Sequence, residues 1–372
     1  MNSFMKLRSI ANIFYFFAFI LSTIALFCVD EKLITILGVD FYYNKINGVF
    51  LFLANFILYL FNLNSKNSVR AVQKLFYPLS ILILILINLI LVVDNFFAVF
   101  LLLFLIFFIN YFLNNSKDSL TKDCTTLFVS FLFISYGLLR YFIINDIPAT
   151  LSNISQYQYK VDILSTNFAL FGFLLLVSKL FNFLPFNIKA KNSYILNFSI
   201  ISYLIIGCNL LIKTFTIFNY NFYNMQNIIA FYLIINILYF VFLQFRAKGI
   251  NEFLRLTLSA NIVVGIFGLF LFTKSALISF IYYSIALILS YSAAFLVSNV
   301  IEQKMHTDNF SELKKISHND KLIKFFIFVV FLNLAKVPPC VAFCASIYSY
   351  FNIFLIEFSD IIMLFIPYIL FG

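Results

Sequence analysis

Tryptophan is absent from the 372 residues, histidine occurs twice, and only 11% of the chain is charged. An ordinary soluble domain carries roughly 25% charged residues. With 63% hydrophobic residues, the chain lacks the polar surface to cover a core in water. That excludes a soluble globular enzyme and a disordered chain, and nine glycines exclude a collagen. Five cysteines, an odd number, suggest no disulfide framework. Cys124, Cys208 and Cys340 lie in or near apolar runs, and Cys344 follows four residues after Cys340; they read as small buried residues. Two histidines and no acidic cluster argue against a metal site. Neither a P-loop nor a G-x-G-x-x-G is present, so no nucleotide or redox cofactor is expected on this chain. What is abundant is phenylalanine, 54 residues, and tyrosine, 22, at a mean hydropathy of +1.01. Such a chain needs lipid around it. The Phe, Tyr, Asn, Ile and Lys bias also reads as that of an AT-rich genome, as in an organelle.

An apolar run of about 20 residues spans a bilayer as a helix, because backbone groups in lipid must be satisfied within the segment. The runs do not alternate every two residues, which argues against a β-barrel. The expected architecture is an all-α polytopic membrane protein, one domain over 1–372, with about twelve transmembrane helices near 10–29, 47–63, 75–93, 95–113, 125–144, 164–184, 193–218, 226–245, 253–273, 276–300, 322–345 and 348–371. Of the 25 Lys and Arg, sixteen then fall on the side of the N-terminus, five on the other side and four in or beside the runs. This asymmetry predicts an N-terminus inside. The net charge of +10 therefore reflects topology rather than a nucleic-acid partner. No small-residue cleavage site follows the first run, so no cleavable signal is expected. The longest polar stretch, 302–321, is too short for an extramembrane domain.

The four basic residues in or beside the runs are Lys179, Lys213, Arg255 and Lys336. A lysine at the centre of a membrane helix costs about 2.5–3.5 kcal/mol on insertion scales. Such a residue either serves a proton or ion relay or snorkels to the headgroups. Ser178 and Asn182, at helical spacing, favour the relay at Lys179. Lys213 sits near the outer end of its run, which favours snorkelling. Arg255 lies close to the basic 246–248 loop and reads as an interface anchor. Lys336 precedes Val337-Pro338-Pro339 in an apolar run, where a proline pair breaks the ladder and frees carbonyls. A lysine beside a broken helix recurs in transporters. Carboxylates are scarce in the runs; Glu357 and Asp94 are the candidates. Asn209, Ser259, Asn261 and Asn333 offer polar groups that can hold water or bond between helices.

Three segments, in order and at matching spacing, resemble antiporter-like membrane subunits of respiratory complex I. SKLFNFLPFNIKAKNSY is similar to the family's FKLxxxPFHxWxPDxYEG, INEFLRLTLSANIVVG to NIKRLLAYSSIAHMG, and LNLAKVPPCVAFCASIYSY to SLAGIPPLAGFFAKFY. The PP-x-x-x-F form points to the subunit 2 set, of ND2 or NuoN type, and the match runs from about 76 to 358. The resemblance implies two inverted repeats, broken helices near Pro185 and Pro338, and proton translocation coupled to quinone reduction elsewhere in an NADH:ubiquinone reductase, with no redox chemistry here. NADH, FMN, iron–sulfur clusters and quinone would belong to other parts of the complex. The partners implied are membrane-arm subunits of the ND4, ND4L and ND6 types and membrane lipids. The location implied is the mitochondrial inner membrane, with the N-terminus on the matrix side.

Residue by residue, Lys179 matches the family's lysine before Pro-Phe, with one extra residue before Pro185. The family's next lysine falls near Leu210, and Lys213 one turn later would substitute. The lysine after the proline pair falls on Ser346; Lys336, where the family has glycine, is the candidate replacement. The family's glutamate falls near Phe104 and its later histidine near Asn261. The relay implied runs through Lys179, Lys213, Lys336 and Glu357. Relative to bacterial members the resemblance implies a chain shorter by one helix at each end, the C-terminal one then being expected from another polypeptide. The rival reading is a structural subunit with a degenerate, non-pumping path, favoured by the missing glutamate and lysine. A free-standing sodium antiporter would need more carboxylates in the spans than this chain has.

Overall fold

In the computed structural model of the chain, residues 2–36, 39–65, 75–114, 117–145, 163–181, 183, 193–218, 226–269, 274–305, 307–311, 321–338 and 340–354 are described. The chain forms two compact units, Met1–Asn221 and Phe222–Gly372.

The first unit holds α1 (Asn2–Cys28), a hairpin of β1 (Lys32–Ile36) and β2 (Val39–Tyr43), α2 (Lys45–Asn64), α3 (Phe76–Val92), α4 (Phe96–Asn114), α5 (Lys117–Asn145), α6 (Ile163–Leu180) and α7 (Ser193–Phe218). The apolar windows of α1, α2, α4 and α7 are long enough to cross a bilayer, and α3, α5 and α6 carry shorter apolar stretches. Helix α7 is apolar all round, and all of its apolar window is buried, as expected of a central helix. It packs against α2, α3, α4 and α6. By contrast, α1 lays Phe17, Leu21 and Phe27 outward, where lipid is the natural solvent.

Polar pairs join the helices at depth. Asn55 of α2 and Asn88 of α3 exchange amide bonds at 3.3 and 3.1 Å. Asn62 donates to Asn12 at 2.7 Å. Each such bond contributes about 0.6 kcal/mol in a membrane protein, so these amides set register more than stability.

At Gly172 the backbones of α5 and α6 approach closely. A Cβ added at Gly172 would stand 2.7 Å from the Ser130 carbonyl oxygen and 2.8 Å from the Ile134 nitrogen. Backbone atoms cannot swing aside, so Gly172→Val forces the helices apart. It is expected to destabilise the chain by about 3 kcal/mol, read as a lowered thermal unfolding midpoint in detergent. An unchanged midpoint would show that the two helices have room to part.

The hairpin was not foreseen. Lys32–Ile36 pairs antiparallel with Val39–Tyr43, with Lys32 opposite Tyr43 and Ile36 opposite Val39. Phe41 also bridges to Val93, and the Asp94 amide donates to the Asp40 carbonyl at 2.8 Å. The hairpin is thereby tied to the turn after α3.

The second unit holds α8 (Gln226–Gln244), α9 (Ile250–Leu269), α10 (Lys274–Met305), α11 (Lys321–Leu334) and α12 (Val341–Phe354). Helices α9 and α10 are its long apolar helices, and α8 and α11 carry shorter apolar stretches. Within the unit α9 packs on α8 and α10, and α10 also packs on α11 and α12. The run at 322–345 is interrupted near Pro338, where a broken helix was expected: α11 ends at Leu334 and α12 begins at Val341. Proline at 338 supplies no amide hydrogen for the ladder, and the backbone turns before it. The last expected helix, 348–371, lies mostly outside the described residues, and Glu357 with it. The Pro185 break also falls outside them.

With several apolar helices of spanning length, the chain is a multi-pass membrane protein.

Candidate functional site: a broken helix and two buried lysines

The break between α11 and α12 is built by an ordinary helix-ending motif with an unusual residue. The Lys336 amide donates to the Asn333 carbonyl, and the Val337 amide reaches back to the Leu332 carbonyl, both at 3.1 Å. This pair of bonds is the Schellman ending, whose pivotal residue takes a left-handed conformation and is usually glycine. Here it is Lys336, with φ of 54°. A side chain in that conformation costs about 1–2 kcal/mol. The resembling family segment carries glycine at this place, so the strain comes with the lysine.

Asn333 spans the break. Its amide nitrogen donates to Ser290 Oγ of α10 at 2.6 Å, and its Oδ1 accepts from the Ala342 amide at 3.2 Å. It thus satisfies one of the orphan donors at the start of α12. Asn333→Leu removes both bonds and is expected to destabilise the second unit by about 1–3 kcal/mol. Faster hydrogen exchange at the start of α12 would report it; unchanged exchange would show that water replaces the side chain there.

Lys336 lines a small cavity with Asn261, Tyr283, Ser290, Tyr291 and Ser346, among others. It has room for about one water molecule. Asn261 donates to Tyr291 Oη at 2.8 Å and accepts from Tyr283 Oη at 3.2 Å. Ser346 Oγ donates back to the Ala342 carbonyl at 2.7 Å. Three positions singled out by resemblance, 261, 336 and 346, therefore share one cavity. The place of the missing family lysine, Ser346, and the lysine offered as its replacement border the same space.

In the first unit, Lys179 lies in the last turn of α6 and is 3% exposed. That burial does not fit a snorkelling side chain. The helix ends just beyond it, with the Phe183 amide donating to the Ser178 carbonyl at 2.8 Å. Phe104, the place expected for the family's glutamate, is 42% exposed; it faces out from the unit. The inward polar residue of α4 is Asn110, which the sequence reading missed. It donates to Tyr203 Oη at 2.8 Å and accepts from Ser199 Oγ at 2.9 Å, both on α7.

Lys213 is not a snorkelling side chain either. Its ammonium donates to the carbonyls of Ile90, Leu91 and Val93 at 3.2, 2.9 and 3.0 Å. These are end carbonyls of α3, which has no basic residue in its own last turn. An ammonium there offsets the negative end of the helix dipole. Its three hydrogens are engaged with the end of α3. Asp94 is buried close by, and its charge acts on Lys213. On the hairpin, the Tyr42 phenol is pushed up from its ordinary value by burial first, then by the charges of Glu31 and Asp94.

Arg255 stands near Asp308, Glu252 and Glu302, whose charges act on it. Asn251 of the same helix donates to Glu302 Oε2 at 3.0 Å. This cluster suits the anchor role expected of Arg255.

No family model and no curated relative matches the chain. Solved structures do. A chain of respiratory complex I from Thermus thermophilus, a structure with bound NADH, superimposes with a TM-score of 0.82 at 13% identity, covering 98% of this chain and 81% of that one. A chain of the Mrp complex from Dietzia sp. gives 0.81 at 12% identity, covering 99% and 73%. One from the membrane-bound sulfane sulfur reductase, an archaeal respiratory membrane complex, gives 0.79 at 10% identity, covering 98% and 80%. At these identities the likeness establishes the fold: a polytopic, antiporter-like membrane fold shared with chains of large membrane assemblies.

Proposed function

We propose that this chain is a membrane-arm subunit of a complex I-like respiratory assembly and moves protons across the membrane through buried lysines and water. In this reading it is of the subunit 2 (ND2 or NuoN) type, has about twelve spans, and carries one of the family's two repeats in each compact unit. Its partners are neighbouring subunits of the ND4, ND4L and ND6 types. NADH oxidation and quinone reduction take place elsewhere in the assembly. The mitochondrial inner membrane, with the N-terminus in the matrix, is the location that the composition and the charge asymmetry favour.

The observation that carries the reading is the cavity bordered by Lys336, Asn261 and Ser346. A lysine stands there in a backbone conformation that glycine would hold with less strain. An amine that meets water away from the bulk can bind a proton on one side and hand it on, the general role of a lysine placed inside a membrane bundle. Lys336 and the buried Lys179 are the two carriers assigned here, and Glu357 is retained as a candidate toward the exit. The Asn261, Tyr283 and Tyr291 groups would orient the water that Lys336 meets. The test is proton uptake by vesicles holding the assembly with Lys336→Met. Loss of uptake at retained assembly supports the reading; full uptake removes Lys336 from the path.

One observation favours the structural rival. Among the described residues, the inward polar residue of α4 is the neutral Asn110 rather than a carboxylate. A non-pumping chain would keep the size and electron-transfer activity of the assembly while neither lysine mattered to proton uptake.

A further inference from the structure

Lys213 suggests a binding site that the proton reading does not use. Its ammonium is ringed by main-chain oxygens at 2.9–3.2 Å, and the Asp94 carboxylate is 3% exposed beside it. The ring is prearranged. Val93 is bridged to Phe41, and the Asp94 amide is bonded to Asp40 of the hairpin. One turn earlier on α7, and on the same helical face, Asn209 is fully buried. Its amide nitrogen donates to Asn47 at 3.1 Å, while its Oδ1 has no hydrogen-bond partner among the described residues. The amide's orientation is fixed, because Asn47 spends its own amide nitrogen on the Tyr42 carbonyl. A buried carbonyl oxygen without a donor is a group that accepts a cation or a water.

We propose that the Ile90, Leu91 and Val93 carbonyls, the Asp94 carboxylate and Asn209 Oδ1 form a site for a monovalent cation of potassium size, with the Lys213 ammonium as its tethered competitor. The size follows from the geometry. An ammonium group and a potassium ion are nearly equal in radius, and rings of carbonyl oxygens coordinate potassium in channels. Calcium would need oxygens at roughly 2.3–2.6 Å and magnesium closer still. While Lys213 occupies the ring, α7 is pinned to the end of α3. When its side chain turns away, a potassium ion takes over the same oxygens and α3 stays capped.

The test uses the full chain in detergent, at constant ionic strength, in choline, sodium or potassium chloride. Lys213→Met should unfold at a clearly lower temperature than wild type in choline. Potassium should restore most of that loss and sodium less. Adding Asp94→Asn should abolish the response. A Lys213→Met midpoint that is the same in potassium and choline would overturn the proposal. Wild type supplies a second measurement that needs no variant to fold. Acylation of the Lys213 amine, followed by mass spectrometry, should run several-fold faster in potassium than in choline, since the ion displaces the side chain. Equal rates would overturn the proposal as well.

Discussion

Lys336→Gly is expected to make the chain more stable and the assembly worse at moving protons. Glycine holds the left-handed position at the end of α11 without a Cβ, so relieving the strain at φ of 54° should add about 1 kcal/mol to stability. The two Schellman bonds, Lys336 amide to Asn333 and Val337 amide to Leu332, are main-chain bonds and survive the change. Proton uptake should fall at least tenfold, since a positioned proton-transfer group contributes about 10²–10⁴-fold. The opposite signs give the test its force. A structural lysine would lose stability on removal, whereas a lysine that serves transport leaves a better-folded, less active chain. The readouts are the thermal midpoint of the purified chain and the pH change inside vesicles.

Lys179→Met is expected to have the second largest effect. The side chain is buried in the last turn of α6, and methionine fills nearly the same volume. Replacing a buried charge by an apolar residue of similar size is often neutral or stabilising, so the chain should fold and assemble. Proton uptake should again fall at least tenfold, with electron transfer measured in the same sample. If uptake persists, Lys179 is no carrier.

The membrane architecture was legible because its physics is coarse. A bilayer demands long apolar helices, and the runs at 47–63, 193–218 and 226–245 became α2, α7 and α8 with little change. Prolines at 338 and 339 announced a break, though not its form. The turn is made by a lysine where glycine is usual, and α12 starts at Val341, seven residues before the last helix expected. The hairpin escaped notice because Lys32–Tyr43 is a short alternating segment between two dominant apolar runs, and its bridge to Val93 links it to a residue far along the chain. The contacts of Lys213 could not be read at all. Its partners are main-chain carbonyls about 120 residues earlier, which carry no residue-type signal. Asn110 was hidden in the run FFAVFLLLFLIFFINYFLN, where a lone asparagine gives no hint of which neighbour it faces. Phe104, a position reached by spacing alone, faces outward once α4 is packed.

The account stands on proton movement through the cavity beside the α11–α12 break. The most direct measurement is the number of protons moved per electron transferred by the intact assembly, for wild type, Lys336→Met and Lys336→Arg. A lower ratio in both variants, at unchanged electron transfer, is the predicted result, because methionine carries no proton and arginine does not release one. An unchanged ratio in both would contradict the account and leave this chain a structural member of its assembly.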